Sequence, residues 1–507
     1  MVSVQNTSGV KYPVTPLNLV YRKNIFDNDE IRIEDQERAY YYYVGDKKEI
    51  EGYLKSVIAR LFGNNLVNED ELIYDWTNLT KKLINQLAVV YRESAQRYIL
   101  VDGEQDEDLT EYINSIYPED TNTKDKKAHR FAKLLNTSFT QVVFDKEKGR
   151  MDFVIEPTHK FKVEIDDNDP YKITLLKYLK YFKNDKGEDE LYTVVWTDET
   201  HYKEDTNGNK TAIGNNFDMV NPYGVIPFAM LMMESGEDIW GIGALDVVDA
   251  NELINVLLTV LVNDHILGGN GLLITTNLDL RTKGTEENGL IKVRTGRRHP
   301  IQVEDARTEN ATPSAQYVTP PSLITEIRDS IDYRIKQVAL IKGLNPNSFL
   351  ADVQATSGYS KIIDSLEQLE IRRDDIEPCR TYEHDRFEII RRVNNAAYLD
   401  AELKSKFDLQ EIPEDVELRI DFAEIKVEKT PAEIMEDRRF KLEHNMETPV
   451  DWLRQENPDL TEDQAIEIIE NNKSIRQRYL NDANKPMSVF DKVKDRILNN
   501  QKGTQDE

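Results

Sequence analysis

Residues 241–267 read GIGALDVVDANELINVLLTVLVNDHIL, and residues 319–343 read TPPSLITEIRDSIDYRIKQVALIKG. The fold turns on what these two segments do. In the first, Asp246, Asp249 and Glu252 occupy the opening turns, where a helix N-terminus favours negative charge. Its middle, Leu253–Val262, is apolar except at Asn255 and Thr259. Leu253, Ile254, Leu257, Leu258 and Leu261 leave almost no polar side, so this helix must be covered by protein or lipid. It falls short of the roughly 20 apolar residues a membrane span needs, so protein covers it. In the second, Thr319-Pro320 reads as an N-cap with proline in the first turn, and Gly343 reads as a stop. Ile324, Ile327, Ile331, Ile335 and Val338 recur at steps of three and four, opposite Arg328, Asp332, Arg334 and Lys336. Two helices of about 30–40 Å thus bracket an insert. Read alone, the pair is best taken as an ordinary buried hairpin inside one large globular domain.

The composition narrows the class. The 507 residues suggest about three or four domains. Mean hydropathy is −0.61 and charged residues make up 31 %, the balance of a soluble protein. The N-terminus lacks a basic start and apolar run, so no secretion signal is expected. One cysteine, Cys379, permits no intrachain disulfide and reads as a passive residue. The net charge of −28 argues against a DNA binder that grips by neutralising phosphates. It leaves room for a protein past which DNA moves, and equally for a simple solubility feature.

Along the chain, residues up to 18 read as a loose extension. Helical, tyrosine-rich sequence follows over Glu34–Leu100, with Tyr40–Tyr43 filling a packed layer, a helix at Lys47–Phe62 and another over Asn78–Leu100. Residues 101–128 read as a polar surface loop around a short helix; their acidic run lacks the ligand spacing of a calcium loop. From Ser138 the period changes to two. Segments Gln141–Phe144, Met151–Ile155, His159–Ile165, Tyr171–Phe182 and Glu190–His201 predict an antiparallel meander, with Asn207-Gly208 as a tight turn. Between the organising helices, GLLITTN, GLIKVRTG and PIQVED read as three short strands. Seven Lys/Arg against six Asp/Glu leave residues 269–318 locally basic. Arg294, Arg297, Arg298 and His299 cluster at one turn there, either solvated or contacting a partner. After Gly343 comes an aperiodic loop, then a long helix from Ser357 or Gly358 towards Leu399, kinked at Pro378. Val416, Leu418, Ile420 and Phe422 alternate as a strand. The C-terminal part has three helix starts, at Thr430-Pro431, Thr448-Pro449 and the Thr461…Gln464 capping box, and QKGTQDE reads as a frayed end.

No G-x-x-x-x-G-K-[ST], H-E-x-x-H, G-x-S-x-G or paired C-x-x-C occurs. The histidines are scattered. No catalytic residue, metal site or cofactor is expected, and an enzyme is the weaker hypothesis.

The order of elements resembles bacteriophage portal proteins, particularly those of long-tailed phages. The resemblance rests on NPYGVIPF followed by IWGIGALDVVDANELIN, on ATSGYSKIIDSLEQLE, and on LRIDFAEI…TPAEIMEDRRFKLEHNMETPVDWLRQENPDLTEDQAIEII, together covering about residues 140–475. One departure is that several relatives carry Ser where Gly241 or Gly243 stands. The resemblance implies a predominantly helical α+β fold with crown, wing, stem and clip, assembled as a cyclic ring. Residues 19–240 would belong to the wing, 241–268 and 320–343 to the stem, 269–319 to the clip and 344–357 to the tunnel loop. Residues 358–430 would return to the wing, and 431–507 would form the crown and tail.

The implied function is a ring of probably twelve copies at one capsid vertex, through which double-stranded DNA is packaged and ejected. It would be built in the host cytoplasm and carried in the virion, with no membrane partner. Its partners would be the terminase large subunit, capsid and scaffolding proteins, and the head-completion or adaptor protein. Asn345, Asn347, Ser348, Asp352, Gln354 and Thr356 would place small polar groups against sliding DNA. Phe349, with Leu350, packs against a neighbour in one alternative. Lys336 and Lys342 are expected either on the channel wall or in salt bridges between subunits. The clip cluster would contact partners, and the apolar residues of both stem helices would pack between copies. The competing class is a non-ring structural or adaptor protein of a virion; a nuclease-like enzyme is a distant third.

Overall fold

The computed structural model describes residues 29–62, 72–183, 187–213, 218–236, 238–268, 272–276, 278–281, 286–287, 290–291, 302–305, 314–318, 323–349, 358–423, 431–444, 446–457 and 460–483. The chain divides into two compact units, Met1–Lys426 and Val427–Glu507.

The first unit opens with α1 (Asp29–Val44) and α2 (Lys47–Phe62), an extended stretch over 72–78, and α3 (Leu79–Leu87). Strands β1 (Gln96–Val101) and β2 (Glu104–Gln105) precede α4 (Glu107–Ile116) and α5 (Thr121–Leu135). The period-two region supplies β3 (Thr137–Asp145), β4 (Arg150–Pro157), β5 (Phe161–Ile165), β6 (Ile173–Lys183), β7 (Asp189–Thr197), β8 (His201–Glu204), β9 (Lys210–Ala212) and β10 (Phe228–Met232). Then come α6 (Leu245–Gly268), the short strands β11 (Leu272–Thr276), β12 (Leu278–Arg281), β13 (Glu286–Glu287), β14 (Leu290–Ile291), β15 (Gln302–Asp305) and β16 (Ser314–Val318), and α7 (Ile324–Ile341). The 41-residue α8 (Gly358–Tyr398), α9 (Ala401–Phe407) and β17 (Val416–Asp421) close the unit. This is a mixed α+β fold, predominantly helical.

Three antiparallel sheets carry it. β5 to β9 form a sequential meander, β10-β3-β4 a second sheet, and β17-β1-β2 a third. The meander expected from the sequence is therefore split between two sheets. Asn207-Gly208 lies within a five-residue loop, 205–209, whose Asp205 carboxylate accepts from the backbone N–H groups of Asn207 and Asn209. Phe139, Phe161, Leu176, Val194, Trp196, Phe228 and Trp240 make a small core beside the meander. The large core lies among the helices. Arg32 joins the two, its guanidinium 3.7 Å above the Trp240 ring and donating to the carbonyls of Thr158 and Phe161.

Two expectations need correction. The helix over Asn78–Leu100 stops at Leu87, and Gln96–Val101 is a strand paired with β17, Ile99 opposite Leu418. Helical spacing belongs only to Leu79, Leu83, Ile84 and Leu87; QRYILV is aromatic and β-branched, and its partner lies over 300 residues away in the chain. In the region 101–128 the expected short helix is α4 and residues 102–108 are largely exposed, but the polar run from Thr121 opens α5, a core helix. Its inward face holds Asp125 and His129 beside Ala128, Phe131 and Ala132, which hides the apolar period.

Those inward charges are paired. Asp125 and Glu383 lie between Arg97 and Arg386, with Arg97 Nη2 at 2.8 Å from both carboxylates and Arg386 donating to both. Tyr91 donates to Glu383 at 3.0 Å. Burial alone would raise the Glu383 carboxyl, but Arg386 and Arg97 overcome it and hold it at about 2. Nearby, His129 Nε2 meets Asp375 at 3.1 Å and Lys133 bonds the same carboxylate at 2.6 Å, while burial lowers the His129 pKa. Cys379 is fully buried in α8, which runs on continuously through Pro378.

The second unit holds α10 (Pro431–Glu443), α11 (Pro449–Glu456) and α12 (Glu462–Ala483). Thr448 and Asp451 cap α11 reciprocally, and Thr461 and Gln464 do the same for α12. Thr430, the residues before 29 and the C-terminal QKGTQDE lie outside the described residues.

The entry to α6 is held by glycine. Gly241 and Gly243 have φ of +56° and +62°, and a Cβ at Gly243 would sit 2.4 Å from the Leu134 carbonyl oxygen. That carbonyl also accepts from Ala244 N–H at 2.9 Å. Gly243→Ala is expected to cost about 2–4 kcal/mol in denaturant titrations. Gly52→Ala, in the open interior of α2, is expected to stabilise by about 0.5–1 kcal/mol. The Glu383 carboxyl is ordinarily near 4.5 and lies at about 2 in the fold. Its depressed pKa contributes stability that is present above pH 4.5 and lost as pH falls towards 2. Glu383→Gln is expected to cost about 3–5 kcal/mol near neutral pH and to flatten the stability profile in that acid window.

Candidate functional site

The organising helix α6 is covered in three ways. Its polar residues Asn251, Asn255, Thr259 and Asn263 recur every four positions and so share one face. They bond the backbone of the extended stretch before α3. Asn263 accepts from Ile73 N–H at 3.1 Å and donates to Ile73 C=O at 2.8 Å. Thr259 does the same for Asp75, at 3.2 and 3.1 Å. Asn255 accepts from Thr77 N–H at 2.9 Å, and Asn251 bonds Thr77 C=O and Thr80 N–H. The periods match because four helical residues rise about 6.0 Å and two extended residues about 6.6 Å. The side chains thereby serve the chain as a neighbouring strand would.

The second contact is ionic. Arg38 of α1 bonds Asp249 at 2.7 Å and Glu252 at 3.2 Å. Burial acts against the Arg38 charge, but these carboxylates outweigh it and raise its pKa; burial raises Glu252 despite this pairing. Two of the three acids expected at the helix N-terminus thus hold α1 as well.

The third contact is α7. Ile331 is buried, while Ile324, Ile327, Ile335 and Val338 are partly buried along the same stripe. Ile327, Ile335 and Val338 pack on the core that includes Ile254, Leu257, Leu258 and Leu261. A cavity of about 200 Å³ remains along the seam, lined by Asp246, Ala250, Arg334, Gln337, Val338 and Ile341. The α7 N-cap is Leu323, without a side-chain cap bond, so the helix begins after the expected Thr319-Pro320 start, which lies outside the described residues. Its end is as expected. Gly343 has φ +65°, Leu344 N–H bonds Ala339 C=O at 2.9 Å and Gly343 N–H bonds Leu340 C=O at 3.1 Å, the Schellman pattern.

At the other end of the hairpin, the three expected segments supply β11, β14 and β15, and the described residues of the insert add β12, β13 and β16, in nested antiparallel pairs β11–β16, β12–β15 and β13–β14. Leu278–Arg281 and Ser314–Val318 carry no strand signal of their own; each is short and recognisable only through its partner. Arg294, Arg297, Arg298 and His299 lie outside the described residues.

The expected site residues fall at the following places in the chain. Of the residues expected to pack between copies, Ile254 and Ile331 are buried within their own chain, and Leu253, Leu257, Leu258, Leu261, Ile324, Ile327, Ile335 and Val338 are partly buried. Lys342 pairs with Asp246 of its own chain at 2.8 Å. Lys336 is exposed on α7 and Leu253 is half-buried. After Gly343, Pro346–Phe349 form a 3-10 turn. Phe349 packs on the core of its own chain, with Lys82 Nζ 4.8 Å from its ring centre. Asn345 is half-buried, Asn347 and Ser348 fall in the same turn, and Asp352, Gln354 and Thr356 lie outside the described residues.

Sequence reasoning missed the outward side of α7. Tyr333, Leu340 and Ile341 are 62 %, 63 % and 73 % exposed. Tyr333 and Leu340 are seven residues apart and share a stripe roughly half a turn from Ile331 and Ile335. The signal was present in the spacing, but a dominant isoleucine stripe masked it. No helix among the described residues is long and apolar enough to cross a membrane.

No protein-family model matches the sequence, and no curated protein is similar to it. Solved structures with a distant likeness include a chain of the virion of a native gene transfer agent particle, at 12 % identity over 72 % of this chain and 83 % of that one, TM-score 0.30. Two more come from the neck of an empty gene transfer agent particle computed with C6 symmetry (11 %, 72 % and 85 %, TM-score 0.33) and of a native one computed with C12 symmetry (12 %, 72 % and 84 %, TM-score 0.30). At these scores the functional argument rests on the chain's own residues and geometry.

Asn263→Leu removes both bonds to Ile73 and leaves two backbone groups without their helix partner. Amide exchange at Ile73 and Asp75 is expected to accelerate by about one to two orders of magnitude, a local loss of about 1–3 kcal/mol. Exchange in the α8 amides is expected to stay unchanged.

Proposed function

We propose that this chain is the subunit of a closed ring of portal type, sited at one vertex of a virion and traversed by double-stranded DNA. The observation that carries the reading is the two-sided α7. One stripe closes the hairpin on α6; the other, Tyr333 and Leu340, lies uncovered. Two exposed apolar side chains opposite the closing stripe, set among Asp329, Asp332 and Lys336, are satisfied when a second copy covers them, and a heterologous contact that closes produces a ring.

The hairpin topology agrees with this use. Two antiparallel helices carry a nested β insert at one end, as expected of a stem with a clip. The segment after α7 returns at the opposite end, and its polar residues 345, 347 and 348, followed by 352, 354 and 356, suit a loop over which a duplex slides. Uncharged groups make exchangeable contacts, and an acidic chain does not hold phosphates. In this reading the chain hydrolyses nothing. The terminase large subunit supplies the ATP-driven work at the clip, the capsid and scaffolding proteins surround the ring, and a head-completion protein later replaces the motor.

The test is the mass of the purified particle. Twelve chains of 58.8 kDa make about 0.71 MDa, and a ring with a central hole is expected in negative stain. The double variant Tyr333→Ser/Leu340→Ser is expected to keep its fold, since surface changes cost about 0.5 kcal/mol or less, and to lose most of the assembled fraction. A chain that stays monomeric at high concentration and with scaffolding protein would overturn the ring and favour an adaptor.

A further inference from the structure

The β6–β7 hairpin runs beyond the sheet that supports it. β5 flanks β6 only as far as the Phe161–Tyr178 pair, and β8 flanks β7 only as far as Thr193–Glu204. β6 and β7 nevertheless stay paired out to Lys183–Asp189. Lys180 to Lys183 and Asp189 to Tyr192 therefore form a two-stranded arm of about 14 Å at 3.4 Å per residue. Two strands alone are marginal in water; a third strand or a packed face normally supports them.

The arm carries large apolar side chains on both faces, interleaved with Lys180, Lys183, Asp189 and Glu190. Tyr181 stands opposite Leu191 on one face, beside Leu179, and Tyr181 and Leu179 are 67 % and 63 % exposed. On the other face Phe182 and Tyr192 lie edge to face at 5.8 Å. Lys203 Nζ sits 4.7 Å from the Phe182 ring centre and 4.4 Å from that of Tyr192, and Lys180 lies 5.6 Å from Phe182. Neither lysine forms an ion pair with a described residue.

A complementary surface exists on the same chain. Asp102, Glu104, Glu107, Asp108 and Glu111, on the β1–β2 turn and α4, are all exposed, and none forms an ion pair with a described residue. We propose that the β6–β7 arm docks on a second copy of this chain, its lysines facing the neighbour's β1–β2 turn and α4. Lys180 and Lys203 supply the charge match on one face of the arm, and Leu179 and Tyr181, on its other face, supply apolar area that the neighbour covers as it wraps the arm. One copy would then give its arm and receive another at a different face, the head-to-tail geometry of a ring. The inference rests on the ring reading and adds a contact to it, away from the α6–α7 hairpin.

A charge-swap cycle on the full-length chain tests it, with assembled fraction read by mass photometry and folding by thermal melting. Lys180→Glu/Lys203→Glu and, separately, Glu104→Lys/Glu111→Lys are each expected to lower assembly about tenfold at low salt with unchanged melting. Combining all four is expected to restore it. Leu179→Ser/Tyr181→Ser, at exposed positions that leave the fold intact, is expected to lower assembly at any salt. Assembly indifferent to all of these changes overturns the arm contact and leaves the ring standing. Loss in both charge variants without rescue in the combination overturns the acidic face as the arm's seat. A wild-type chain that never assembles overturns the ring reading and the arm together.

Discussion

A 24-residue helix with almost no polar side cannot stand in water, and the way α6 is covered shapes the rest of the first unit. Its one polar face is devoted to backbone groups of an extended segment, which would otherwise be stranded against an apolar surface. Because helix and strand advance almost equally per rung, four side chains suffice to anchor residues 73–80. That anchoring sets where α3 begins, with Asn78 as its N-cap accepting from Lys81 N–H at 2.9 Å. α3 in turn packs beside α5. The remaining sides of α6 face Arg38, the core and α7, so its rotation is determined from all directions.

A second constraint works at the opposite extreme of polarity. Arg97, Asp125, Glu383 and Arg386 bring two positive and two negative charges into a dry region where α5, α8 and β1 meet. Desolvating four ions is costly, and each is tolerable only while the other three are present. This is a device for specificity more than for net stability. It fixes the strand β1, and through it β17, against α8, although these elements are hundreds of residues apart.

The two constraints leave the outer surface of the hairpin with an unusual duty. The inner isoleucine stripe packs α7 onto α6. The Tyr333–Leu340 stripe and the projecting arm of the meander are among the apolar surfaces that stay exposed. The first is held by a helix packed on α6, whereas the second stands on a two-stranded extension. A DNA channel built from such subunits would owe its slipperiness to an acidic composition and to small polar groups after the Schellman turn.

Much of this was legible in the amino-acid order because it depends on local physics. The limits of α2, the span of α8, the capping of α11 and α12, the Schellman end at Gly343 and the alternation in β17 follow from propensity, capping and period alone. The apolar character of α6 also required a covered helix. Tertiary structure alone decided the rest. QRYILV became a strand because β17 offered it an edge, and α5 became a core helix because Asp125 found Arg97 and Arg386. The isoleucines of α7 turned inward because α6 lay nearest, which left Tyr333 and Leu340 outside. The reason is common to all three: a residue's own preference is worth tenths of a kcal/mol, whereas pairing a buried charge or covering an apolar face is worth several. Those stronger interactions exist only once distant parts of the chain have met.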